Sequence, residues 1–272
     1  MDFWKEPFMI RVTHVVRGLG ALALSLAAVS AYAQPAPAAQ KPFEPVSGQA
    51  GKDVVWVPTP QATVDRMLEI THLTATDYLI DLGSGDGITV ITAAKKGATA
   101  VGVEFNPDMV TLARSKAKAA GVSNKATFIQ GDLFEADLSK ATVITLFLLP
   151  EINLKLRPKL LDLKPGTRIA SNTFTMDEWE PDAKTSSPEC ASWCTALFWV
   201  VPAKVAGTWQ LGQQTLTLTQ QFQMVSGTLG STAISGGKLT GDEITFSAGS
   251  RKYTGRVNGN TISGSDWSAT KK

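Results

Sequence analysis

Between Thr59 and Phe174 the chain alternates two textures, short continuous apolar runs and longer stretches whose apolar positions recur every three or four residues. The short runs DYLIDL (77–82), TAVGVEF (99–105), ATFIQ (126–130), ATVITLFL (141–148) and TRIASNTF (167–174) read as buried strands. The periodic stretches predict helices over 59–73, 88–96, 107–121 and 150–163. In the first, Thr59 is the expected N-cap, Pro60 the first helical residue, and Val64, Met67, Leu68 and Leu73 the inner face. Gly121 should end the third. Strands alternating with helices imply a parallel sheet covered on both faces, a doubly wound Rossmann-like α/β domain with its ligand at the strands' C-terminal ends.

After residue 203 the periodicity drops to two. Pieces such as LTLTQQ, VSGTL, ITFS and YTGRVNGN are broken by turn signals at Gly241-Asp242 and Asn258-Gly259. They predict a small all-β antiparallel meander of hairpins, closing into a sheet or a partial barrel. The resulting division is an α/β domain over 51–203 and a β-domain over 204–272, with a Pro/Ala-rich linker over 34–50. Ahead of the linker, Arg11 and Arg17 precede the apolar stretch 18–31, and Ala31-Tyr32-Ala33 follows, as in a cleaved signal peptide over 1–33. The expected location is periplasmic or secreted; the alternative is an inner-membrane anchor formed by 18–31.

Composition narrows the chemistry. The 272 residues are 43% apolar, enough for a core, and the formal charge is only +2 with Lys and Arg scattered. Without a basic stripe, nucleic acid is not an expected partner. The two cysteines, Cys190 and Cys194, have no histidine nearby to complete a zinc site, so no metal is expected. They can bridge if ECASWC is a tight loop and stay unpaired thiols if it is a straight strand. His72 is the only histidine beyond the signal peptide and reads as a surface or packing residue.

The sharpest local feature is DLGSGDG (81–87), directly after the first strand. Gly83, Gly85 and Gly87 fall as G-x-G-x-G, and Ile88 stands where a dinucleotide fingerprint needs its third glycine. Two further acids end later strands: Glu104 in VGVEFNP and Asp132 in FIQGDLFE. The arrangement resembles the [DE]-x-G-x-G-x-G motif of seven-strand (class I) S-adenosylmethionine-dependent methyltransferases. The resemblance covers residues from about 55 to 203. Within that superfamily VPTP, DLGSGDG, VGVEFNP, GDLFEADL and LFLLPEINLKLRPKL are similar to bacterial relatives of the lysine methyltransferases that act on the ATP synthase c-subunit and the adenine nucleotide translocase. It implies S-adenosylmethionine contacts at Asp81, Gly83, Ser84, Gly85, Glu104, Asn106 and Asp132. Glu104 would accept the ribose hydroxyls and Asp132 the adenine amino group.

Methyl transfer is an in-line displacement that needs no covalent nucleophile, and none is expected from this sequence. The stretch Thr145-Leu146-Phe147-Leu148-Leu149-Pro150-Glu151 lacks the [ND]-P-P-[YF] grip of enzymes acting on planar amides. It suits an apolar slot for an amine, hydroxyl or thiol, with Phe147, Pro150 and Glu151 as candidate substrate-pocket residues. A protein lysine is the acceptor that the closer resemblance implies, although the export signal and the β-tail depart from those relatives. The competing expectation is an exported, non-catalytic binding module on the same scaffold. N-terminal sequencing of protein from its native host should find Gln34 first; a chain starting at Met1 or Met9 would instead make 18–31 an anchor.

Overall fold

The computed structural model describes residues 43–188 and 190–272, so the expected signal peptide and most of the linker lie outside the described residues. The first part folds in the order α1 (Gln61–Ile70), β1 (Tyr78–Leu82), α2 (Ile88–Lys95), β2 (Thr99–Glu104), α3 (Pro107–Ala119), β3 (Ala126–Gln130), β4 (Val143–Leu146), α4 (Pro150–Leu161), β5 (Arg168–Asn172), β6 (Ala183–Ser186) and β7 (Thr195–Val200). The strands form one seven-stranded sheet in the order β3-β2-β1-β4-β5-β7-β6. β1 to β5 run parallel, and β7 lies antiparallel to both neighbours, β5 and β6. Strand order reverses between β1 and β4, which opens a crevice at the carboxyl ends.

Period-two alternation divides the sheet between two cores. Leu79, Ala100, Phe128 and Val143 face Val64 and Leu68 of α1, Val90 and Ile91 of α2, and Val110 and Ala113 of α3. Ile80, Leu82, Val103, Ile144, Leu146 and Trp199 face the other way, onto Ile152, Leu156 and Leu160 of α4 and onto Met176 and Trp179. The first helix starts one residue later than its sequence suggests: Pro60 occupies the N-cap position, and among the described residues no side chain caps the helix. The Pro60 carbonyl oxygen accepts from Thr63 and Val64 N–H, so the proline closes the first turn that Thr59 was expected to cap.

The remaining strands are β8 (Gly207–Leu211), β9 (Gln214–Gln221), β10 (Met224–Leu229), β11 (Thr232–Thr240), β12 (Glu243–Ala248), β13 (Arg251–Asn258), β14 (Thr261–Gly264) and β15 (Ser268–Lys271). Each pairs antiparallel with the next, and β15 returns to pair with β8, so the meander closes as an eight-stranded barrel. Its interior is filled by Trp209, Leu216, Leu218, Leu239, Ile244, Phe246 and Ile262. The barrel seats against the end of the sheet where β5 begins. There Ala203 N–H donates to Gly241, whose backbone lies against Gly166, and Phe222 stacks on Trp179.

At the same end an ion pair between the buried Asp77 and the half-buried Arg168 ties three segments together. Asp77 accepts from Thr74 N–H and Oγ1, from Thr142 Oγ1 and from the Arg168 guanidinium, which also donates to Thr71 and His72 carbonyls. Burial pushes the Asp77 carboxyl up, but the hydrogen bonds from Thr142 and Thr74 and the Arg168 charge outweigh it and hold the group below the usual carboxylate range. A depressed folded-state pKa stabilises the fold above the unfolded value, and that contribution is lost as pH falls through the folded one. Asp77→Ala should therefore cost about 3 kcal/mol at pH 7, because it leaves the half-buried Arg168 and the Thr74 and Thr142 donors without their shared acceptor. It should also flatten the acid limb of stability below about pH 4, measured by urea denaturation.

Candidate active site

The cleft lies over the carboxyl ends of β1, β2 and β4, and the expected residues Asp81, Gly83, Ser84, Gly85, Glu104, Asn106, Asp132 and Phe147 all line it. The turn after β1 brings the backbone there. Gly83, Gly85 and Gly87 have φ of +75°, +52° and +84°, the left-handed region that only glycine enters without strain. Gly102 on β2 makes room beneath the turn, since a Cβ there would lie 2.5 Å from Ser84 Oγ.

Each acid is held differently. Asp81 is buried and accepts from Thr145 Oγ1 at 2.6 Å. Burial pushes its carboxyl up to about 7 against the pull of that hydrogen bond, with the nearby Glu104 and Asp86 charges adding to the rise. Glu104 uses one oxygen to accept from Gly85 N–H and the other from Asn106 N–H, both at 2.9 Å. Asn106 in turn caps α3, its Oδ1 accepting from Asp108 N–H at 2.9 Å. Asp132 accepts from Phe134 N–H through one oxygen and pairs with Lys52 through the other. That hydrogen bond from Lys52 is the main reason the Asp132 carboxyl sits low and the Lys52 ammonium high.

Lys52 belongs to a segment that the strand and helix pattern left unassigned. Residues 48–56 form a turn closed by Gly48 N–H to Trp56 carbonyl at 2.8 Å and Trp56 N–H to Gln49 carbonyl at 2.9 Å. This strap forms one wall of the cleft, with Lys52 over the Phe105 ring and Trp56 leaning on Gly85. Its sequence signal was the apolar run Val54-Val55-Trp56-Val57, which had no strand partner. Two expected pocket residues stand apart: Pro150 and Glu151 are exposed in the first turn of α4 and do not line the cleft. His72 is exposed at the end of α1.

Three acceptors at three strand ends, beside a glycine turn and the buried, unpartnered Ser84 Oγ, fit a ligand with an ammonium, a diol and an exocyclic amine. Comparison with known proteins agrees. Residues 81–183 match the ANTKMT methyltransferase domain. A protein-lysine N-methyltransferase of Saccharolobus islandicus is 46% identical over 131 residues, 47% of this chain and 81% of that protein. The human lysine N-methyltransferase of the ATP synthase c-subunit is 41% identical over 108 residues, 39% of this chain and 46% of that protein. The chain thus spans about half the length of the human enzyme. The crystal structure of an RNA methyltransferase from Salinibacter ruber with S-adenosyl-L-homocysteine superposes with a TM-score of 0.52 at 50% identity, covering 55% of this chain and 96% of that one.

Fold, cleft and relatives together define an S-adenosylmethionine-dependent methyltransferase, an enzyme whose cofactor is S-adenosylmethionine. Within that class the chain belongs to the family of the ANTKMT methyltransferase domain and the lysine methyltransferases similar to it.

Proposed function

We propose that this enzyme methylates the ε-amine of a protein lysine, and that it does so outside the cytoplasmic membrane. The observation that carries the acceptor is the apolar strip Leu146, Phe147 and Leu148, which lines the cleft together with Asp81. Such a surface desolvates an aliphatic amine and offers nothing to grip a planar base. The names of two relatives, which act on protein lysines, support the same reading. The outside location rests on the N-terminal signal pattern and on the bridge between Cys190 and Cys194, a bond that persists in oxidising compartments.

Bound S-adenosylmethionine supplies a methyl group on a sulfonium, activated for displacement. The chain's part is to hold and orient. Glu104 keeps lone pairs beyond its two backbone bonds that would accept the ribose hydroxyls, and Asp132, whose other partner is Lys52, would accept from the adenine amino group. Asp81 would hold the cofactor's ammonium, whose charge would favour the carboxylate over the protonated acid. Gly83 to Gly85 let the backbone lie against the ligand.

Because Asp81 is half protonated near pH 7 and the ammonium selects its charged form, affinity for S-adenosylmethionine should rise roughly tenfold between pH 5.5 and 7. Asp81→Asn should bind more weakly and lose that rise; calorimetry that finds wild-type affinity flat over this range would remove Asp81 from the site.

The acceptor is tested by incubating the enzyme with S-adenosylmethionine labelled at the methyl group and an extract of envelope proteins from the native host. Label should be recovered as methyllysine after acid hydrolysis. Label that is released by ribonuclease would assign an RNA acceptor instead.

A further inference from the structure

Beyond the cofactor cleft, three aromatic rings meet where β4, β5 and β7 end or begin. Phe147, which lines the cleft, stacks on Phe174 at 6.0 Å between centroids and an interplanar angle of 19°. Trp193 contacts both, tilted at 5.7 Å from Phe147 and 5.5 Å from Phe174. The first two rings follow β4 and β5, while Trp193 reaches them from the loop between β6 and β7.

Trp193 is not placed as a core residue would be. Trp179, Trp199 and Trp209 are fully buried, whereas Trp193 is 38% exposed. Its backbone sits at φ +58°, a left-handed conformation that a bulky side chain adopts only when its surroundings impose it. The surroundings do so from three directions. The Cys190–Cys194 bridge holds the loop's ends 5.5 Å apart at Cα, Ser187 N–H donates to Cys194 carbonyl at 3.0 Å, and Thr63 Oγ1 of α1 donates to Trp193 carbonyl at 2.9 Å. A large, half-exposed indole in an imposed conformation, continuous with a ring of the cleft, is built to meet a ligand.

We propose that Trp193, Phe147 and Phe174 form the wall along which the acceptor lysine enters, and that the disulfide positions Trp193 for that contact. This rests on the lysine reading above. Aromatic faces suit the substrate at both ends: they cover its four-carbon stem, and they attract the ammonium before it loses its proton. Thr63 and the cysteines touch no substrate and act through the indole. Acceptor binding therefore depends on the loop, and cofactor binding does not.

The test uses the full enzyme with poly-L-lysine as methyl acceptor, and calorimetry with S-adenosylhomocysteine as the measure of the cofactor site. Trp193→Ala and the double variant Cys190→Ser, Cys194→Ser should raise KM for poly-L-lysine at least tenfold. Their kcat and their affinity for S-adenosylhomocysteine should stay within about twofold of wild type, and Trp193→Phe should restore most of the lost KM. A misfolded variant would lose cofactor affinity as well, and the phenylalanine variant then decides alone. Unchanged KM in Trp193→Ala, on a wild-type enzyme that methylates poly-L-lysine, overturns the aromatic wall and leaves the lysine reading standing. Wild-type enzyme that binds S-adenosylhomocysteine but leaves poly-L-lysine unmethylated overturns both.

Discussion

The cleft depends on one carboxylate even before any ligand binds. Glu104 spends one oxygen on the amide of Gly85 and the other on the amide of Asn106, and so fixes the glycine turn of one strand against the helix start of the next. A neutral side chain would make one such bond well and the other poorly, because only a carboxylate presents two equivalent acceptors on a short stem. The same geometry leaves lone pairs facing the crevice. Before any ligand binds, Glu104 is thus the residue that shapes the crevice at this strand end.

The three acids differ in how readily their protein partners yield to a ligand. Backbone amides on Glu104 need not move, and the Thr145 hydroxyl on Asp81 is buried with it. Lys52 is another matter, since it sits partly in solvent on a strap and occupies the Asp132 oxygen that an adenine amino group would use. An exposed pair of this kind is worth little on balance, so exchanging it costs little. Trp56 of the same strap rests against the glycine turn itself. Of the contacts made by the three acids, the strap's is the one that a ligand exchanges at least cost.

How much of this was legible follows from how local each signal is. Among the described residues every strand from β1 to β5 and every helix lies within the stretches read from periodicity, and the three acids expected to meet the cofactor lie at or just past strand ends. Closure of the barrel was only half legible: hairpins announce themselves through Asn-Gly and Gly-Asp turns, but the pairing of β15 with β8 joins residues some sixty positions apart and leaves no local mark. The strap was missed for the same reason, because Lys52 and Asp132 are eighty residues apart. The one-residue shift at α1 shows the limit of capping rules, where Pro60 itself satisfied the first turn. Glu151 was placed in the right helix turn, yet that turn points to solvent, a fact that only the packing of Ile152 and Leu156 against the sheet decides.

The barrel's seat bears on what the enzyme can accept. It docks at the end where β5 begins, through Gly241 on Gly166, Phe222 on Trp179 and Gln223 on the Glu180 carbonyl. Among the described residues none of the barrel lines the cleft, which opens at the other ends of the parallel strands. A tail that shielded the site would have to lie over those ends, so shielding is not its role. The sheet face near Trp179 and Met176 carries no helix after β5 among the described residues, and the barrel covers apolar surface that would otherwise meet water. The barrel therefore leaves the cleft free, with the strap forming one wall and Phe147 linking the cleft to Trp193 of the disulfide-held loop.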